Sequence, residues 1–117
     1  MKREYLDYIQ DILNSIDEIE LFIKGLNFEI FKHDKKTINA VIRSLEVIGE
    51  AAKKIPDEIK GKHTNIPWKN ISGMRDKLIH EYFGVDEEIV WKVASEEILT
   101  LKSPIQKIFE EIKRAEE

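Results

Sequence analysis

Apolar residues return every three or four positions along almost the whole chain, and no stretch of useful length alternates between apolar and polar. A 3.6-residue repeat belongs to amphipathic helices, whereas half-buried strands alternate with a period of two. The spacing predicts a first helix from about Lys2 to Lys24, with Tyr5, Ile9, Ile12, Leu13, Ile16, Ile19 and Phe22 on one stripe, ended by Gly25 and Asn27. Phe28, Ile30 and Phe31 follow in a short turn and are expected to cap the core. Asp34 has the short acceptor side chain of an N-cap and starts a second helix reaching about Ile55. Its inward positions are Ile38, Val41, Ile42, Leu45, Ile48 and Gly49. A glycine inside a helix costs about 1 kcal/mol relative to alanine. Gly49, with Ala51 and Ala52 beside it, therefore implies a closely approaching helix.

Pro56 stops the second helix, and the polar stretch to Pro67 is expected to be a loop with one turn at Asp57-Glu58-Ile59-Lys60. A third helix starts near Pro67, which suits a first helical turn, and ends near Phe83 with Gly84 as its C-terminal cap. Asp86 N-caps a fourth helix carrying Ile89, Val90, Val93 and Ala94. Ser103 and Gln106 stand at capping-box spacing, which marks the start of a last helix with Ile105, Ile108, Phe109 and Ile112 on its apolar face. The pattern leaves open whether these last two are one kinked rod or two pieces. Short connections between long amphipathic helices imply antiparallel neighbours. The fold class expected is all-α: an up-and-down four-helix bundle with an extra short or kinked helix, in a single domain covering 1–117.

Composition narrows the class of function. At 117 residues, 42% apolar and 36% charged, the chain supports one modest core under charged outer faces. No apolar run is long enough to cross a bilayer, and the start Met1-Lys2-Arg3-Glu4-Tyr5 lacks an apolar signal core. A cytoplasmic location and no membrane partner are expected. The absence of cysteine removes disulfides and thiolate metal sites. A net charge of −4 argues against broad, non-specific nucleic-acid binding but leaves room for a local anion site. His33 and His63 stand alone in polar turns and form no metal-ligand spacing with His80, so neither a metal nor another cofactor is expected. Trp68 and Trp91 fit packing anchors, and Lys53-Lys54 and Lys60-Gly61-Lys62-His63 fit solvated charge.

One segment carries chemistry. Arg75-Asp76-Lys77-Leu78-Ile79-His80-Glu81-Tyr82 brings a permanent cation, a carboxylate, an imidazole and a phenol into two turns of the expected third helix. Arginine binds phosphate in bidentate fashion. Histidine is the side chain whose ordinary pKa suits proton transfer near neutrality. Together they supply what metal-free cleavage of a phosphodiester needs. On a helix, Asp76 and His80 are four apart and share a face, so the carboxylate could orient the imidazole; Arg75 and Tyr82, seven apart, share another. Arg75 and His80 are roughly 140° apart around an ideal helix. Convergence on one phosphate would need the long arginine arm, a distortion near Gly84, or a second copy facing the first across a two-fold axis. The last is the simplest. Arg43 and Glu50, seven apart on the second helix, either line the cleft beside Arg75 or form a solvated stripe.

The spacing Arg75-x4-His80-x-Tyr82 resembles the Arg-x4-His-x-Tyr motif of HepT-type toxins, members of the HEPN superfamily of all-helical ribonucleases. The similarity extends to Val41–Ala52, to Ile66-Pro67-Trp68 through Gly73-Met74-Arg75, and to Phe83-Gly84-Val85-Asp86 with Ile89-Val90-Trp91. It implies a homodimer whose two motifs line a shared cleft, and a metal-independent RNA endonuclease acting as a toxin. Catalysis would rest on Arg75 and His80, with Asp76 beside them. The implied partner is a nucleotidyltransferase antitoxin of the MntA type, which attaches AMP to the motif tyrosine, here Tyr82. The residue after the arginine is often asparagine in the family; here it is Asp76, which would raise the His80 pKa and place negative charge beside the substrate. A different function remains open on the same residues: a non-catalytic HEPN subunit that binds a nucleotide or substrate for a partner nucleotidyltransferase. A purely structural helical dimer gives no reason for cation, base and phenol to keep this spacing.

Overall fold

The computed structural model describes residues 2–80 and 84–116, and gives the backbone alone for Lys2, Arg3, Arg75, Ile79, His80 and Glu116. Helix α1 (Lys2–Ile23) ends at Gly25, whose φ of +79° is open to glycine and strained for other residues. Asn27 does not finish α1. Its side chain accepts the Ile30 N–H and N-caps a separate turn, α2 (Phe28–Phe31). Within α2, Phe31 is fully buried and Phe28 partly so, but Ile30 is 52% exposed and takes no part in capping the core.

Helix α3 (Lys35–Lys54) starts as expected at Asp34. The carboxylate accepts from the Thr37 amide at 3.1 Å and from the Thr37 hydroxyl at 2.7 Å. These two bonds, side chain first, hold the Asp34 carboxyl below the usual carboxylate range. All six positions expected to face inward on α3 are buried. Helix α4 (Asp57–Lys62) is longer than the single turn expected in the loop.

The expected third helix is interrupted. It forms two short pieces, α5 (Trp68–Ser72) and α6 (Met74–Leu78), with Gly73 closing the first by donating to the Ile71 and Lys69 carbonyls. After Leu78 the chain extends. Strand β1 (Ile79–His80) pairs antiparallel with β2 (Gly84–Val85), with Ile79 opposite Val85 and His80 opposite Gly84. The Leu78 carbonyl, which a continuing helix would have offered to residue 82, instead accepts the Asp86 N–H at 3.0 Å. Gly84 has φ +74°, so its glycine character is used in the ribbon and not as a helix cap.

Asp86 caps α7 (Glu87–Lys92) by accepting from the Ile89 amide at 3.1 Å. The last two expected helices are joined. Helix α7 runs into a π turn (Val93–Glu97), a 3₁₀ turn (Ile98–Leu101) and α8 (Lys102–Glu116), and Lys92, Val93, Glu97, Ile98 and Lys102 all keep right-handed helical dihedrals. It is one continuous rod. Ser103 lies inside it and starts nothing, and Pro104, which has no N–H to give the Thr100 carbonyl, falls just after the tightened turn.

The class is all-α, apart from the four-residue ribbon. Helix α1 packs on α3 and α8; α3 also receives α5 and α6; α2 and α6 meet α7. The core collects Ile9, Ile12, Ile16 and Ile19 from α1, Leu45 and Ile48 from α3, and Ile98, Ile105 and Ile108 from the rod. Both tryptophans anchor packing. Trp68 is 8% exposed and donates from Nε1 to the His63 carbonyl, and Trp91 tilts against Phe31 with ring centroids 5.0 Å apart. Lys102 bridges α8 to α1 through Asp17 at 2.8 Å and Glu20 at 3.0 Å, which raises its pKa.

Candidate active site

The motif is built on the end of a helix and the ribbon beyond it. Arg75 and Asp76 are the second and third residues of α6, His80 is the second residue of β1, and Tyr82 lies outside the described residues. Two buried side chains fix α6 against the core: Met74, 7% exposed, and Leu78, fully buried. Because the helix stops at Leu78, the four-residue helical spacing between Asp76 and His80 does not apply. The face shared by Asp76 and His80, the 140° separation of Arg75 and His80, and the face shared by Arg75 and Tyr82 all require an unbroken helix, and none of them holds. Asp76 itself is exposed. Beyond Leu78 the chain makes a tight antiparallel return that ties His80 to Gly84 and closes on Asp86.

Arg43 and Glu50 are both exposed on α3, and Glu50 pairs with Lys53 at 3.4 Å. His33 is exposed, while His63 is partly buried with Nε2 3.5 Å from Glu111. Among the described residues, no three of His, Asp and Glu gather closely enough to hold a metal ion. Among the same residues, no helix is long and apolar enough to cross a membrane.

A feature that periodicity did not foretell lies beside α6. A groove of about 900 Å³ runs between α5–α6 and the π and 3₁₀ turns, floored by Ile71, Met74, Val93 and Ile98 and edged by Lys69, Lys77 and Lys92. Lys77 of α6 reaches Glu97 of the π turn at 3.6 Å. Nothing in the spacing of Val93–Glu97 signals a π turn. The ribbon had left a mark: Ile79, Tyr82, Phe83 and Val85 are strand-favouring residues next to a glycine.

A model of the family described as ribonuclease HepT-like matches residues 12–108. The chain belongs to the HepT-like ribonuclease family. Its relatives include a protein named probable ribonuclease HepT from Thermococcus cleftensis, 51% identical over 108 residues, covering 92% of this chain and 98% of that one. A Methanocaldococcus jannaschii protein whose name makes it a candidate RNase is 47% identical over 116 residues, covering 99% and 96% of the two chains. A third, similarly named, from Caldanaerobacter subterraneus subsp. tengcongensis, is 44% identical over 106 residues, with 91% and 95% covered. No solved structure gives a significant match. The HepT-like match runs through α3, both halves of the broken helix and the ribbon, so the whole frame around Arg75 and His80 falls within it.

Proposed function

We propose that this chain is a metal-independent endoribonuclease of the HepT-like family, working as a homodimer and as the toxin of a toxin–antitoxin pair. The observation that carries this is the Arg75-x4-His80-x-Tyr82 spacing, set where a buried helix end gives way to a closed ribbon inside a HepT-like match of nearly the whole chain. His80 removes the proton from a ribose 2′-hydroxyl, and that oxygen attacks the adjacent phosphorus. Arg75 offsets the charge that develops on the non-bridging oxygens. The 5′-oxygen leaves, takes a proton from the imidazolium of the second copy, and the product ends in a 2′,3′-cyclic phosphate. Asp76, exposed on α6, tunes the field around this centre without being a reacting group.

Control follows from the phenol. Attachment of AMP to Tyr82 by an MntA-like nucleotidyltransferase would put a bulky anion where the RNA phosphate must enter. The test of catalysis is cleavage of an oligoribonucleotide in EDTA by wild type, Arg75→Ala and His80→Ala. Wild type should cleave, each variant should lose at least about 100-fold in kcat, and full activity in both variants would overturn the assignment. For control, incubation with the partner and ATP should add one AMP to wild type and none to Tyr82→Phe, read by intact mass.

One observation favours a second reading. Asp76 is exposed next to Arg75 in a chain of net charge −4, an unfavourable setting for a polyanion. The chain would then be a non-catalytic subunit presenting a nucleotide or substrate to the nucleotidyltransferase. Expression of wild type and His80→Ala in a host lacking the partner separates the two: selective growth arrest by wild type means a toxin, and equal growth means a binding subunit.

A further inference from the structure

Helix α3 has one position where a side chain would strike backbone. A Cβ on Gly49 would stand 3.2 Å from the Ile71 carbonyl oxygen and 3.7 Å from that of Ser72. Both oxygens belong to the last turn of α5, so no rotamer change relieves the contact; the end of α5 would have to give by a few tenths of an ångström. The Ile71 carbonyl is also an acceptor for the Gly73 N–H that closes α5. Helix α6 begins at the next residue, and Arg75 is its second position.

The glycine at the break itself is the obvious suspect for setting this geometry, and the structure points elsewhere. Gly73 has φ −91° and ψ 9°, which any L-residue can adopt, and a Cβ there would meet only the Lys69 carbonyl, at an ordinary 3.5 Å. What requires a glycine is the opposing helix. We propose that Gly49 is a positioning residue: by admitting the Ile71 carbonyl, it seats the break between α5 and α6 and so sets where Arg75 is presented. This rests on the role proposed above for Arg75. A misplacement of 1 Å at a reacting group can cost about 100-fold in rate. A shift of a few tenths of an ångström at the α5 end should then lower kcat about three- to tenfold. KM should change little, because the arginine acts on charge formed in the transition state.

The experiment compares Gly49→Ala with Gly73→Ala in the full chain, reading kcat and KM on an oligoribonucleotide, helicity, and amide exchange at Lys77 and Leu78. Gly49→Ala should stay folded, exchange faster in α6 than in α3, and lose kcat; Gly73→Ala should resemble wild type in all three. Equal losses in the two variants would overturn the proposal, because the break and not its seat would then matter. Unchanged kcat in Gly49→Ala would overturn it too, and so would failure of that variant to fold, since the contact would then be support for the fold as a whole. If wild type cleaves no RNA, the ribonuclease reading falls and the exchange comparison alone decides whether Gly49 seats α6.

Discussion

Leu78 separates the two motif residues and is fully buried, which makes it the place to test whether the end of α6 is an anchored platform. Leu78→Ala removes the side chain that pins this helix end while leaving the backbone bond from Asp86 to the Leu78 carbonyl in place. Large-to-small changes in tightly packed cores cost about 2–5 kcal/mol, combining lost transfer energy with a residual cavity. For a domain of this size each kcal/mol lowers Tm by about 4 °C, so a fall of about 8–20 °C is expected. Total stability is typically about 5–15 kcal/mol, so the variant remains folded at room temperature. Ile105→Ala is the matched control, since Ile105 is equally buried but lies on α8. Urea unfolding followed by circular dichroism gives both losses, and oligoribonucleotide cleavage below both transitions gives the rates. The two variants should lose similar stability, but Leu78→Ala should lose about tenfold more in kcat, by the sensitivity of catalysis to placement. A stability loss under about 1 kcal/mol would deny that Leu78 is a packed anchor. Equal activities at equal stability would deny that the anchor serves the site.

Asp34 gives a pH prediction: its carboxyl is held low in the fold by Thr37, so its contribution is complete above the ordinary carboxylate value of about 3.9 and fades as pH falls through the folded value. Asp34→Asn keeps a neutral cap, so the gap in urea midpoint between it and wild type should be widest at neutral pH and close on acidification below about pH 4; a gap that widens there would refute the assignment. Phe31→Ala should cost about 3–5 kcal/mol and shift Trp91 emission to the red in a Trp68→Phe background, because Phe31 is buried against the Trp91 ring. Asp76→Asn, at an exposed position, should leave stability within about 0.5 kcal/mol and raise kcat/KM at low salt by removing a charge that repels phosphate; a fall in kcat at constant KM would instead make the carboxylate a partner of catalysis.

What could be read from the chain beforehand was what depends on near neighbours. Asp34 and Asp86 declared themselves as N-caps because a cap is a bond to an amide three residues away. Gly49 announced a close approach because a glycine inside a buried stripe has little other use. The end of α6 was hidden by the same logic. Leu78 closes its helix with a bond to Asp86, eight positions downstream, and no local signal competes with the helical spacing of Met74, Leu78 and their neighbours. Ile30 misled because a turn of three apolar residues need not bury all of them; the short α2 can turn only part of its surface to the core. The motif itself was legible as residue types and spacing, but the helical faces drawn from it were not, since they presumed a helix that stops two residues before His80.

The rod from Glu87 to Glu116 keeps phase by two opposite errors. The π turn at Val93–Glu97 is wider than an α-helical turn, and the 3₁₀ turn at Ile98–Leu101 is narrower. A residue gained in the first is largely returned in the second, so Val90 before them and Ile105 and Ile108 after them all still face the interior. The pair acts as a vernier on the helix. Deleting one residue from the wide turn alone would rotate everything beyond it by about 100° and swing Ile105 and Ile108 away from α1. Change in this stretch must therefore come in matched steps, one turn adjusting for the other, if the last helix is to stay in register with the first.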